Sequence, residues 1–224
     1  MKVFYINLDT ATARRNKFKD VSYERWKATD KEEVPDYIEN RMVSRYNFAK
    51  DAHLARCGCF LSHTKLLEHI VENKINDVLI LEDDEIQVND LPKIYPQDSI
   101  TYVGGFVYNR KMMDCKPPEI EHQVGINLCP DNLRILGTMA YIVPKWHIAL
   151  HILNRIYSEN RFKAIDIMMG NIGIKQYYNY PASFREEGCE SQISVQNKKN
   201  KIMTEEYKFI NYTKYAKSLQ KEDC

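Results

Sequence analysis

Glu82, Asp83, Asp84 and Glu85 follow one another without a spacer, directly after the apolar run Val78-Leu79-Ile80-Leu81. Four apolar residues suit a buried strand and are too few for a helix. Acids at the carboxyl end of such a strand fan out where open α/β sheets place their ligands. Adjacent carboxylates repel, and they stay ionised only if a cation or well-placed donors offset the repulsion. A hard divalent metal, Mn2+ or Mg2+, meets that need through oxygen ligands, and Mg2+ completes its shell with water and substrate phosphates. A solvated acidic loop after a core strand is the other reading of the same residues.

The elements that would position these acids begin at Val3 to Leu8, a buried strand ending at Asp9. Thr10 to Lys19 follows as a helical stretch with Arg14, Arg15, Lys17 and Lys19. Strand, turn and helix in that order open an α/β unit. Arg side chains and free N–H groups at a helix start can meet phosphate oxygens, although an ordinary surface helix reads as well. Tyr23 to Ala28 alternates as a short strand and leaves Asp30 in a loop near the strand ends. Lys31 to Ala55 is polar and interrupted by Pro35, a mixture of helix and loop that could cover a ligand. Gly58 then precedes a helix from Cys59 to Asn73, with Phe60, His63, Leu67, Ile70 and Val71 on one face. Ser62 and His63 fall in its first turn, where donors reach a bound anion; a packed histidine is the alternative.

After the acids, Ile100 to Val103 reads as a strand closed by Gly104-Gly105, which allow a close approach to a ligand or a tight turn. Tyr108 to Pro130 suggests an irregular excursion. Leu133 to Val143 reads as one strand with small residues at its middle, and Pro144 starts a helix to about Ser158. Asp166 stands in the apolar run Ala-Ile-Asp-Ile-Met-Met. It is either a helix cap or a functional carboxylate, because an unpaired buried acid costs several kcal/mol. Gln176 to Pro181 gives the last strand, and Phe184 to Ser194 is polar.

With 224 residues the chain can bury one good core, and nothing marks a linker, so one domain over 1–224 is expected. Its first half would span about 1–105, its second about 106–195 and its tail about 196–224. Lys and Arg number 32 against 31 Asp and Glu, a formal charge of +1 that provides no global field to recruit nucleic acid or an anionic membrane. No nucleic-acid partner is expected. Lys198, Lys199 and Lys201 read as a solvated face and leave peripheral membrane contact open. The six cysteines, at 57, 59, 115, 129, 189 and 224, lack zinc-ribbon spacing and read as reduced thiols. Cys57-Gly58-Cys59 with His63 is the one close cluster, with too few partners nearby for a metal. The first apolar run is too short for a signal peptide, and no later run reaches transmembrane length, so a cytoplasmic location is expected. Asn211-Tyr212-Thr213 matches an N-glycosylation acceptor, which has no consequence without secretion.

Several blocks, taken together, resemble glycosyltransferase family 25. They are Ile6-Asn7-Leu8-Asp9 with Arg14, Arg25-Trp26-Lys27-Ala28 with Asp30, Gly58-Cys59-Phe60-Leu61-Ser62-His63, and Leu79-Ile80-Leu81-Glu82-Asp83-Asp84. Leu136 to Val143, Ile165-Asp166, and Ser191 with Ile193 extend the resemblance through most of the chain. The family includes bacterial lipopolysaccharide-building transferases, collagen galactosyltransferases and relatives in large DNA viruses. Departures are Thr10 to Ala13 in place of Arg-Arg-Pro-Asp, Gln192 in place of Asp, and no histidine after His151.

The resemblance implies a GT-A-like, Rossmann-like α/β fold with a mixed central sheet flanked by helices. A DxD-type motif would hold Mn2+, or Mg2+, against the diphosphate of a UDP-sugar. Asp84, with Glu82 or Asp83, would contact metal and ribose, and Asn7, Leu8, Arg14, Ala28, Asp30, Ser62 and His63 would line the nucleotide. Inverting transfer of galactose or glucose to a glycan or protein hydroxyl needs a base opposite the leaving group. Asp166 is the first candidate, with a second metal contact as its other role; Glu187 or Glu190 are alternative bases. Thr138, Tyr141 and Ser191 complete the acceptor-side candidates. A Mg2+-dependent phosphatase or nucleotidyltransferase, or a binding-only relative, would use the same acids differently.

Overall fold

Phe4 to Ile6, Val78 to Leu81 and Ala140 to Val143 are buried on every side chain, as strands covered on both faces must be. The computed structural model of the protein describes residues 1–43, 50–109 and 122–186. Its strands are β1 (Lys2–Asn7), β2 (Glu24–Lys27), β3 (Val78–Glu82), β4 (Glu85–Gln87), β5 (Ile100–Tyr102), β6 (Phe106–Asn109), β7 (Gly125–Leu128), β8 (Leu133–Leu136), β9 (Ala140–Val143), β10 (Gln176–Tyr180) and β11 (Phe184–Glu186). The helices are α1 (Thr12–Asn16), α2 (Asp36–Arg41), α3 (Lys50–Glu72), α4 (Trp146–Tyr157) and α5 (Ile165–Met169).

The central sheet has seven strands in the order β2-β1-β3-β9-β5-β10-β7. β2, β1 and β3 are parallel, β9 enters antiparallel between β3 and β5, β10 follows β5 in parallel, and β7 lies antiparallel at the edge. This is the expected α/β class with a mixed, helix-flanked sheet of Rossmann-like type. Side chains alternate across it. Phe4, Ile6, Val78, Ile80, Tyr141 and Val143 join Phe60, Leu67 and Ile70 of α3 and Ile152 of α4 in the larger core. Tyr5, Leu79, Leu81, Ala140 and Ile142 pack with Phe184 on the opposite face. Period two therefore puts Glu82 on the α3 side, in line with Val78 and Ile80.

Four local readings need correction. The basic helix is short, ending at Asn16. α3 begins at Lys50, so Ser62 and His63 lie in its interior and their N–H groups are not free for an anion. Gly58 marks a close approach within that helix, since a Cβ there would lie 2.6 Å from the Thr29 carbonyl oxygen. Gly58→Ala is expected to destabilise the protein by about 1–3 kcal/mol through this overlap with backbone; a melting curve matching wild type would refute the contact. The stretch 133–143 is two strands, broken where Gly137 takes φ +81°. Finally, β11 adds a strand in the polar stretch and pairs with β4.

Gly104-Gly105 resolve as a turn: Gly105 has φ +103°, and a Cβ on it would lie 2.8 Å from the Leu136 carbonyl oxygen. Cys57, Cys59 and Cys129 are free thiols, as expected. Cys115, Cys189, Cys224, the tail lysines and Asn211 lie outside the described residues. Among the described residues no helix is long and apolar enough to cross a membrane.

Candidate functional site

β3 ends on Glu82, Asp83 and Asp84 form a turn, and Glu85 opens β4. Donors from the first α/β unit meet this turn. Arg14 Nη1 lies 2.9 Å from Asp83 Oδ1 and 3.7 Å from Asp84 Oδ2. Asn7 donates from Nδ2 to Asp83 Oδ2 at 2.5 Å and accepts from Arg25 Nε at its Oδ1 at 3.0 Å. Arg25 also pairs with Asp9 at 2.5 Å, tying the ends of β1 and β2 together.

Burial raises the Asp83 carboxyl despite Arg14 and Asn7. Asp84 is pushed up to about 7 by burial and then by Glu82, Asp83 and Glu186. Glu85 is pushed up to about 9 by burial and by Asp84, Glu82 and Glu186. Both Glu85 carboxylate oxygens are buried without a hydrogen bond. Glu82 differs. Burial raises it, but His63, a 2.8 Å hydrogen bond from Thr138 Oγ1, and Arg14 outweigh that and hold it below the ordinary range. The turn thus carries buried negative charge that its donors offset only in part, an arrangement that fits a hard divalent cation near Asp84.

A cleft of about 110 Å³ opens beside the turn, lined by Leu8, Arg14, Ala28, Ser62, His63, Glu82, Asp83 and Asp84 among others. The structure therefore gathers eight predicted residues from four sequence blocks. Ser62 Oγ donates to the Gly58 carbonyl at 2.7 Å and accepts the Thr29 N–H at 2.8 Å, fastening the loop after β2 to α3. Cys59 and Lys31 also line the cleft; the sequence reading gave Lys31 no role and placed Cys59 only in a cluster short of metal partners. Their only signal was position, Cys59 one helical turn before His63 and Lys31 beside Asp30. Asn7 and Asp30 are not on the cleft wall. Asn7 is 1% exposed and acts through Asp83 and Arg25, while Asp30 precedes a 3₁₀ turn at Lys31–Glu33.

Of the acceptor-side candidates, Thr138 donates its hydroxyl to Glu82, and the neighbouring Gly137 N–H reaches Asp166 Oδ2 at 3.4 Å. Asp166 lies in the first turn of α5, half-buried, and its Oδ1 accepts the Ile167 N–H at 2.7 Å. The break between β8 and β9 thus links Asp166 to the end of β3. Tyr141 does not fit an acceptor-facing place: it is fully buried, with its hydroxyl 3.0 Å from His63 Nδ1. Glu187, Glu190 and Ser191 lie outside the described residues. A larger cavity of about 730 Å³, lined by Arg134, Arg155, Lys163 and Lys175 with Asp131 and Glu159, contains none of the acidic turn.

A family model described as glycosyltransferase family 25 (LPS biosynthesis protein) matches residues 1–169, a span holding the acidic turn, the cleft residues named above and Asp166. No curated protein sequence matches the chain. Among solved structures, the nucleoside-diphosphate-sugar pyrophosphorylase from Vibrio cholerae RC9 aligns with 88% of this chain and 81% of its own at 10% identity, with a TM-score of 0.33. That likeness is too low to bear on function. The family match, in contrast, takes in 169 of 224 residues, from β1 through α5, and by it the chain belongs to glycosyltransferase family 25 and is a glycosyltransferase.

Proposed function

We propose that the protein transfers a hexose, galactose or glucose, from a UDP-sugar to a hydroxyl of a glycan or protein acceptor, with inversion at the sugar. The observation that carries this reading is the convergence of Arg14, Asp83 and Asp84 on one cleft walled by Leu8, Ala28 and Ser62. Asp84, with Glu82 or the hydrogen-bond-free Glu85 beside it, would hold Mn2+ or Mg2+, which offsets the charge developing on the departing diphosphate. Arg14 adds a fixed positive group at the same place. Leu8 and Ala28 offer apolar contact to the base and ribose. The donor half would span 1–105 and the acceptor half 106–195.

Asp166 would take the proton of the acceptor hydroxyl as the sugar bond forms on the face opposite UDP. Its tie through Gly137 to the Thr138–Glu82 bond supports a place beside the donor acids. Asp166→Asn is expected to lower transfer about a hundredfold while sparing UDP binding; near wild-type transfer in a folded variant would end this assignment. A phosphatase or nucleotidyltransferase reading lacks a Gly-rich phosphate loop in the sequence, and release of inorganic phosphate rather than UDP would favour it.

Calorimetric titration of UDP into metal-free protein, with and without Mn2+, tests the donor site, followed by a screen of UDP-sugars for hydrolysis. Binding that requires Mn2+ is the expected result. Binding in neither condition would overturn the UDP-sugar reading and leave the family membership intact.

A further inference from the structure

Cys59 and His63 are one turn apart on α3 and so project from the same helix face. Glu82 comes to that face from the end of β3. The Cys59 sulphur, a His63 ring nitrogen and a Glu82 carboxylate oxygen all lie within 4.8 Å of one another. The third partner that the sequence lacked for its Cys59–His63 pair is thus supplied by Glu82, far along the chain from either.

His63 is 1% exposed, and its Nε2 is buried without a hydrogen bond. It stands 3.4 Å from Glu82 Oε1, beyond the ordinary hydrogen-bond range of about 2.7–3.2 Å. That separation is the one expected of two ligands on one tetrahedral ion: bonds of about 2.0–2.1 Å at the tetrahedral angle hold nitrogen and oxygen about 3.3 Å apart. The other ring nitrogen, Nδ1, is engaged by the Tyr141 hydroxyl at 3.0 Å, the outer contact that fixes the ring of a metal-binding histidine. Thr138 does the same for the Glu82 carboxylate at 2.8 Å.

We propose that Cys59, His63 and Glu82 form a site for a thiophilic divalent cation of the Zn2+ class; with Glu82 engaged there, the Mn2+ or Mg2+ of the carboxylate site falls to Asp84 with Glu85. Sulphur, nitrogen and one carboxylate oxygen select a softer ion than carboxylates alone. Thiolate and carboxylate together match a 2+ charge, so the filled site is neutral. All three residues line the cleft, so the fourth position of the ion faces the donor-binding space and takes water or a substrate oxygen. On binding, the metal–sulphur bond replaces the Cys59 S–H bond and the proton leaves to solvent. His63 then carries its proton on Nδ1 and donates it to Tyr141.

The test is titration of the full, metal-free chain with Co2+, in the absence of any nucleotide, which keeps the result independent of the UDP-sugar reading. A near-ultraviolet thiolate-to-cobalt band and intense tetrahedral visible bands are expected, with Zn2+ displacing Co2+. In Cys59→Ser, an isosteric change at a half-buried position, the thiolate band should vanish and the affinity fall at least about tenfold. In Asp84→Asn the bands should persist. Absence of the thiolate band in wild type, its survival in folded Cys59→Ser, or its loss in Asp84→Asn would each overturn the proposal.

Discussion

Asp84→Asn is expected to reduce sugar transfer by about a thousandfold and to bring UDP affinity in Mn2+ down to the metal-free level. The substitution keeps the shape of the side chain and removes one negative charge from a turn that holds four acids in sequence. Asp84 sits where burial and three neighbouring carboxylates have raised its proton affinity to a pKa of about 7. A cation is held by that concentration of charge, and an amide contributes none to it. The same substitution should leave the melting temperature of the metal-free protein unchanged or raised, since the lost group is repelled by its surroundings. Calorimetry with and without Mn2+, together with a release assay for UDP, reads both effects. Unchanged Mn2+-dependent binding of UDP would take Asp84 out of the metal site.

Glu85→Gln has its largest effect on stability, and the effect depends on pH. In the metal-free folded protein the Glu85 carboxyl keeps its proton up to about pH 9, whereas the unfolded chain ionises near the usual value of 4.5. Between those limits the native state binds more protons than the unfolded state, so stability falls as pH rises from about 5 to 9. The glutamine variant lacks that dependence. At pH 8 it is expected to exceed wild type by about 2–3 kcal/mol, after discounting for relaxation around the site. The two proteins should converge near pH 4. Thermal melts in chelator at pH 4, 6 and 8 test this, and parallel pH profiles for the two proteins would show that Glu85 is relieved by other means.

The acidic turn was legible because strand and acids are contiguous: Val78 to Leu81 runs straight into Glu82. The alternation of that strand even decides that Glu82 faces α3. What the sequence could not reveal was the partner on that face, because Cys59 and His63 reach Glu82 only through the packing of α3 on the sheet. Gly58 misled as a helix boundary. Its propensity argues for a break, yet the helix runs through it, and the glycine is there because the Thr29 carbonyl approaches too closely for any side chain. Gly137-Thr138 misled in the opposite sense, since apolar residues on either side disguised two strands as one. Thr138 was an acceptor-side candidate through the family resemblance alone; in the structure its hydroxyl donates to Glu82. β11 was hidden by its polar composition; it is held by pairing with β4 and by the burial of Phe184.

The reversed direction of β9 within the sheet bears on how the rim at the acidic turn is assembled. Because β9 lies antiparallel beside β3, its first residues arrive at the edge where β3 ends, with Leu81 paired to Ala140. One rim of the sheet is therefore supplied by two independent kinds of connection, the exits of β1 and β3 and the entrance to β9. The entrance at Gly137 is set by its own contacts, the N–H on Asp166 and the close approach of Gly105, and not by the register of β1, β2 and β3. The loop at Gly137 thus meets the acidic turn from the opposite chain direction, and the Thr138–Glu82 bond joins the two connections at that rim.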